Sequence, residues 1–364
     1  MPAADDKPKR VYLDLTHLGR HVTGIERVSI EQFQNVAFDN AEIVPVRSSG
    51  LLSMIFRQQV VLPLLALLHP NAHFVFPGFP PSPLFALARD RVLLYVHDTF
   101  LITRHSDLST KARLYTAPQF RFDVTRLKHF FVNSEKTKAD LRQYAPSDAV
   151  IRMYRPSVAN PFKLSSANRA TMSASPQPLR LVSLGTIEPR KNYAASLAIL
   201  EALRRTHYAN TELHIIGRAG WGEDATRVAS AEGVTVHGYL ASDDVKRVME
   251  SCDVYLCTSH DEGLGLPLLE AQFAGLPVVA PDQAVFREVL GDSGTLIDPA
   301  NAQSAANAIV ACVSAPSWRA TRAAAATDNV ARWNGEAAKD LFAAKTIFAL
   351  PAKATAIPTA ARAA

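Results

Sequence analysis

Cysteine is scarce in this chain: three residues in 364, with no spacing that would hold a metal. Cys252 and Cys257 flank an apolar strand pattern and Cys312 stands apart, so reduced, buried thiols are expected, and with them a cytoplasmic protein. No basic start leads into an apolar segment, which predicts that the protein is not secreted. Asp-x-Asp pairs and histidine clusters are also missing, so neither a divalent metal nor any other cofactor is expected. The longest apolar region, 51–68, is interrupted by Arg57, Gln58, Gln59 and Pro63. It reads as too short and too broken to span a bilayer, and packing into a core or an interface is expected instead.

What remains is ordinary for a soluble globular protein, with 48% hydrophobic and 20% charged residues and a length that predicts two domains. Charge divides unevenly. Residues 1–165 carry 21 Lys+Arg against 14 Asp+Glu, while residues 166–364 carry 18 against 20. A basic first half suits an anionic membrane face or a pyrophosphate-linked acceptor, or is simply a solvated surface. No nucleic-acid-binding motif accompanies it, so no nucleic-acid partner is expected.

Both halves alternate short strands with helices. Strand patterns occur at 11–15, 43–46, 73–76, 92–96 and 129–134, with helices predicted over 24–38 and 135–144 and Ser134 as N-cap of the latter. Between 165 and 178 the composition turns to Ser, Ala, Asn, Thr, Gln and Pro, which is linker chemistry. Strands at 179–184, 212–216, 234–237 and 254–257 then alternate with helices at 193–207 and 242–250. This order predicts an α/β protein with a parallel, doubly wound sheet in each half. The expected division is a first domain over 1–165, a linker over 166–178, a second domain over 179–331, a last helix over 332–349, and a disordered tail over 350–364 rich in Ala, Pro and Thr.

The most informative stretch is Ser259-His260-Asp261-Glu262-Gly263-Leu264-Gly265-Leu266-Pro267-Leu268-Leu269-Glu270. It leaves a buried strand pattern and enters a helix pattern closed by Gly275. In a parallel sheet such a turn lies at the carboxyl edge, where ligands bind. Gly263 and Gly265 let backbone amides approach a ligand, and the helix start favours a phosphate. Glu262 and Glu270 can each accept hydrogen bonds from hydroxyls, one at either end of that ligand. A phosphate flanked by two polyols is a nucleotide sugar.

Glu262 through Glu270 resembles the E-x7-E motif of the retaining glycosyltransferases of family 4, the group 1 transferases with the GT-B fold. Gly275-Leu276-Pro277-Val278-Val279-Ala280 and Arg287-Glu288-Val289-Leu290-Gly291 follow in the order that family shows. The resemblance implies two Rossmann-like domains facing a cleft, with a C-terminal helix crossing back to the first. It assigns Glu270 to the ribose and Glu262 to a hydroxyl of the sugar, with amides of Gly263, Leu264 and Gly265 beside them. Gly185-Thr186-Ile187-Glu188-Pro189-Arg190-Lys191-Asn192 resembles the donor-diphosphate segment, with Arg190 and Lys191 neutralising the leaving group. His97, after the strand at 92–96, would face the sugar from the first domain, and Asp98 would serve the acceptor or cap the next turn. Gly24 lies where the family places a glycine-bearing loop near the phosphate. Gly217 would let backbone approach the nucleotide, and Gly238 and Tyr239 would lie along the base.

These assignments imply a metal-independent hexosyltransferase. It would use a nucleoside diphosphate sugar and a saccharide or lipid-linked acceptor. The stretch Phe56-Arg57-Gln58-Gln59 with Leu62-Pro63, and Gly24-Ile25-Glu26-Arg27-Val28, resemble bacterial mannosyl- or rhamnosyltransferase-like members of surface polysaccharide or lipopolysaccharide assembly, with a mannose-like sugar favoured. A cytoplasmic protein, peripheral at the inner face of an anionic membrane, is expected. A sugar-nucleotide epimerase or hydrolase of the same fold and a non-catalytic nucleotide-sugar binder are the competing classes.

Overall fold

The computed structural model describes residues 7–18, 24–167, 169, 178–206, 208–222 and 224–348. Among the described residues, twelve strands form two sheets of six. The first holds β1 (Lys9–Asp14), β2 (Ala41–Val46), β3 (His73–Phe76), β4 (Val92–Val96), β5 (His129–Val132) and β6 (Val150–Met153). The second holds β7 (Arg180–Leu184), β8 (Glu212–Ile216), β9 (Val234–Gly238), β10 (Val254–Leu256), β11 (Val278–Pro281) and β12 (Gly294–Ile297). Strand order is β2-β1-β3-β4-β5-β6 and β12-β11-β10-β7-β8-β9, and every named pairing is parallel. The chain is thus an α/β protein with two doubly wound sheets, as the strand–helix alternation predicts.

Side-chain alternation explains how each sheet is covered. Val92, Leu94 and Val96 enter one buried cluster while Leu93 and Tyr95 enter another, the period of two that puts neighbours on opposite faces. Parallel strands buried on both sides read as continuous apolar runs, which is why they stand out in sequence. β6 and β12 are the exceptions: four-residue edge strands, missed by pattern because one face of each is less covered.

Order reversal creates a crevice at the carboxyl ends of the strands. In the second sheet the reversal falls between β7 and β10. The segments that follow these two strands are the Gly185–Asn192 turn and the Cys257–Gly265 loop. Topology therefore brings together two motifs about seventy residues apart. Ser134, extended in backbone, accepts the amide of Thr137 at 3.1 Å and caps the Glu135–Arg142 helix as predicted.

Helix boundaries differ in two places. The helix expected over 24–38 runs as Gly24–Ser29 and closes with a widened turn, Ile30–Gln34. The last helix begins well before Trp333, as Trp318–Lys345. Its start packs on the second domain through Trp318 and through Asn329, which donates to Gln272 at 2.8 Å. Its end lies on the first domain, where Asp340 pairs with Arg155 at 2.8 Å and Phe348 meets Phe38 edge-on.

Of the core or interface packing expected for 51–68, the core is overturned. So is the expectation of a run too short and broken to span a bilayer, since by length and composition the helix could cross one. Leu51–Leu68 is helical throughout, but only Gln58, Leu62, Pro63 and Ala66 are buried. Its apolar residues cover both faces, and the sheet can take only one of them. Most of the expected linker, the loop before Gly24 and the expected tail over 350–364 lie outside the described residues.

Candidate active site

The Gly185–Asn192 turn delivers two cations to one carboxylate. Lys191 Nζ lies 2.6 Å from Glu262 Oε1, and Arg190 Nη1 lies 2.6 Å from Glu262 Oε2. Ser259 Oγ donates to Glu262 Oε1 at 2.9 Å, so the carboxylate is held from three sides. Burial alone would raise the Glu262 pKa. Lys191 and Arg190 beside it win and hold it down at about 2. Desolvation works against the charge of the half-buried Arg190, yet Glu262 and Glu188 push its pKa above the ordinary arginine value. Glu188 pairs with Arg190 Nη2 at 2.7 Å, and the carbonyl of Asp261 accepts from Nη1 at 3.0 Å. The centre is a salt-bridged cluster around the buried Glu262 at the switch point of the second sheet.

Glycines shape the floor. Gly185 donates its amide to Ile216 O at 2.9 Å, and a Cβ at Gly217 would stand 1.9 Å from Gly185 O. Only glycine fits there. Gly217 also bridges Gly238, so Gly185, Gly217 and Gly238 meet at the carboxyl ends of β7, β8 and β9. Tyr239 projects into solvent beside them, 87% exposed. Gly265 precedes the Leu266–Gln272 helix at its N-cap position.

The first domain closes directly on this centre. A Cβ at Gly263 would lie 2.3 Å from His97 O, so this glycine serves close approach between domains. Gly263 O accepts from Ser134 Oγ at 2.7 Å and from Thr137 Oγ1 at 3.2 Å. Leu264 turns the other way, into the second-domain core. Lys136 reaches Asp261 at 3.1 Å, and the Arg190 guanidinium sits 5.2 Å over the Phe100 ring. Glu270, 3% exposed, pairs with Arg27 from the Gly24–Ser29 helix. The residue the family assigns to ribose is thus engaged by a first-domain arginine. Burial raises the Glu270 pKa, and Arg27 only partly opposes it.

His97 is kept neutral. Burial lowers its pKa to about 4, with the Pro77 carbonyl opposing and His17 adding to the fall. Its Nε2–H donates to Pro77 O at 2.7 Å, which leaves Nδ1 as an acceptor. Asp98 accepts the Phe100 amide at 3.0 Å and so caps the next turn, while burial raises its pKa. Next to both opens a cavity of about 380 Å³, walled by His97, Asp98 and Phe100 from one side and Glu188, Arg190 and Trp221 from the other.

Of the residues singled out in sequence, Glu262, Arg190 and Lys191 form one cluster, His97 and Arg190 line one cavity, Gly185, Gly217 and Gly238 meet at the strand ends, and Glu270 meets Arg27. Gly24 opens the helix that carries Arg27. Arg27, Lys136, Phe100 and Trp221 were missed. Each meets a partner far along the chain, from Phe100 with Arg190 to Arg27 with Glu270, and nothing local in sequence marks such a partner.

Residues 178–315 match the family model described as "Glycosyl transferases group 1". This segment, 178–315, is similar to the group 1 glycosyl transferases. The chain is 30% identical over 141 residues to the O-antigen chain mannosyltransferase B of Escherichia coli, covering 37% of each chain. It is 35% identical over 154 residues to the phosphatidyl-myo-inositol mannosyltransferase of Mycolicibacterium smegmatis, covering 40% of this chain and 39% of that one. The match therefore spans under half the length of these curated relatives. The whole fold matches WaaG, a glycosyltransferase involved in lipopolysaccharide biosynthesis, with a TM-score of 0.61 and 16% identity over 94% of this chain and 100% of that one. Anabaena HepE, solved with UDP and glucose, matches with a TM-score of 0.63 and 16% identity over 92% of this chain and 100% of that chain. The fold of the chain is therefore GT-B.

Proposed function

We propose that this protein transfers a hexose, mannose-like in character, from a nucleoside diphosphate sugar to a saccharide or lipid-linked acceptor in surface polysaccharide or lipopolysaccharide assembly. The observation that carries the reading is the Glu262–Arg190–Lys191 cluster at the switch point, 2.6 Å on both sides. Two cations held ready by one carboxylate are placed to take over a diphosphate as its bond to the sugar breaks. Stabilising that departing charge in a site closed to water is the main contribution expected of the protein. The mannosyltransferase relatives support the sugar class, and the UDP-bound neighbour supports a nucleotide donor.

Arg190 and Lys191 would neutralise the diphosphate, Glu262 would orient a sugar hydroxyl, and Glu270 would exchange Arg27 for the ribose hydroxyls. Neutral His97 offers an acceptor nitrogen to the sugar from the opposing domain. The reaction is read as retaining, on the front face of the sugar, with no side chain forming a covalent bond. It is also read as metal-independent, because the charges a metal would supply already come from Arg190 and Lys191. The protein is read as cytoplasmic.

The test is a panel of nucleotide sugars with acceptor extract, following nucleoside diphosphate release and the anomeric form of the product by NMR. Release with an α-product from an α-donor is expected, undiminished by EDTA. An inverted product, or a Mg²⁺-reversible loss in EDTA, removes the corresponding claim. Epimerised donor, or tight binding without release, overturns transfer itself.

A further inference from the structure

Among the described residues, the large apolar side chains left in solvent are concentrated between Ile25 and Phe122. On the Leu51–Leu68 helix, Leu52, Phe56, Val60, Leu64 and Leu67 recur every three or four residues along the outer stripe. Leu52 is 82% and Leu67 78% exposed. The inner stripe contains Gln58, which donates to Asp14 Oδ2 and Thr16 Oγ1, both at 2.9 Å. The usual polarity of a surface helix is reversed along this stretch.

Two neighbours extend the face. The turns Pro83–Arg91 pack against the second half of that helix and also against Ala117–Val124. They expose Leu84 and Leu87, the latter at 88%. Leu114, Tyr115 and Phe122 are exposed on and just before the Ala117–Val124 helix. An apolar face built from three elements is more than a soluble surface normally leaves open, and marks a place for a partner.

Charge identifies that partner. Residues 43–89 contain no Asp or Glu but carry Arg47, Arg57 and Arg89, and residues 108–122 contain none but carry Lys111, Arg113 and Arg121. Arg47, Arg57, Lys111, Arg113 and Arg121 are exposed. Asp90, the acid on the Pro83–Arg91 turns, is paired with Lys128 at 2.8 Å, so apolar side chains bordered mainly by cations match the headgroup and acyl boundary of an anionic bilayer. A second copy of the chain would instead bring two sets of cations face to face.

We infer that the first domain docks on an anionic phospholipid bilayer through this face, with the Leu51–Leu68 helix lying in the membrane plane. The helix is apolar enough in composition to cross a membrane. It cannot do so in this fold, because it connects β2 to β3 within one sheet, Gln58 ties it to β1, and Arg57 sits near its midpoint. Docking also suits the cleft. Residues 112–120 expose Leu114 and Tyr115 outward, while Ala112, Thr116 and Phe120 line the cavity that reaches Arg190. An acceptor on a lipid chain has a short path from bilayer to cleft.

Docking is separable from transfer, so the test uses no donor. The full chain is co-sedimented with phosphatidylcholine vesicles and with vesicles that also contain phosphatidylglycerol. Wild type is expected to bind the anionic vesicles, and to remain partly bound at salt that screens charge beyond a few Å, because the apolar contribution is insensitive to salt. Leu52→Glu, Leu67→Glu and Leu87→Glu together should lower vesicle affinity at least about tenfold, with nucleoside diphosphate affinity and melting temperature unchanged. As a second probe, Leu87→Trp should be quenched by brominated lipid. Equal vesicle binding by the triple variant, complete release by salt, or no quenching overturns the proposal. So does a wild-type dimer that the triple variant abolishes while neither binds vesicles, which would make a second copy the occupant.

Discussion

The two domains share one architecture and use it oppositely. The second buries its apolar residues around a sheet whose carboxyl edge carries an ionised cluster, Glu262 with Arg190 and Lys191. Past residue 165, Trp221, Tyr239 and Phe342 are the large apolar side chains left exposed among the described residues. The first domain places aliphatic side chains on its outer helices and keeps polar groups inside, among them Asp14, Gln58 and Asp123. Two buried acids show the contrast. Glu262 is held down at about 2 by two cations, whereas Asp123, with both oxygens unpaired, is pushed up to about 8 by burial alone. Similar sheets therefore say little about function. What differs is where charge is partnered and which face meets solvent.

If the second domain is the chemical half, the largest effect should come from its cations. Lys191→Ala is expected to weaken nucleoside diphosphate binding by roughly 1.5–3 kcal/mol, about tenfold to a hundredfold, and nearly to abolish transfer. Calorimetry and a transfer assay read both, and unchanged turnover in Lys191→Ala and Arg190→Ala alike would remove the diphosphate assignment. Within that domain the two glutamates should separate. Glu262→Gln should slow transfer while sparing free nucleotide affinity, and Glu270→Gln should weaken the free nucleotide. Equal losses of nucleotide affinity would erase the distinction between sugar and ribose roles.

The first domain is sharpened by Asp123→Asn. A carboxyl whose folded pKa lies near 8 binds its proton in the native state at pH 7, while the unfolded chain has released it. That arrangement favours folding below the unfolded value of 3.8, and the advantage is lost as pH rises toward 8. Asp123→Asn should therefore stabilise the protein by about 1–3 kcal/mol at pH 7, and have little effect at acid pH, measured by urea unfolding. A destabilised variant at pH 7 would mean that the acid has a partner. The smallest expected change is at the contact between domains. Arg27→Ala should tighten free nucleotide binding a few-fold, by about 1 kcal/mol, because it releases Glu270. Weaker binding instead would show that Arg27 belongs to the nucleotide site.

Much of this molecule was legible in its order of residues. Buried parallel strands announce themselves as apolar runs, and caps such as Ser134 act within one turn. The Glu262–Glu270 spacing and the Arg190-Lys191 pair are local signals that a strand–loop–helix frame turns into a site. Tertiary structure alone decided the rest. Arg27 finds Glu270 across 243 residues, and Gly263 is a glycine because His97 O stands against it. Phe100 lies beneath Arg190 for the same reason: closing a cleft joins segments whose separation no short window samples. The Leu51–Leu68 helix marks the limit most clearly. Its sequence states that it is apolar, but burial depends on what packs against each face, and the sheet covers only the stripe with Gln58, Leu62 and Ala66. Hydrophobic pattern determines which side chains travel together, and only the packing of the whole fold determines which of them meet water.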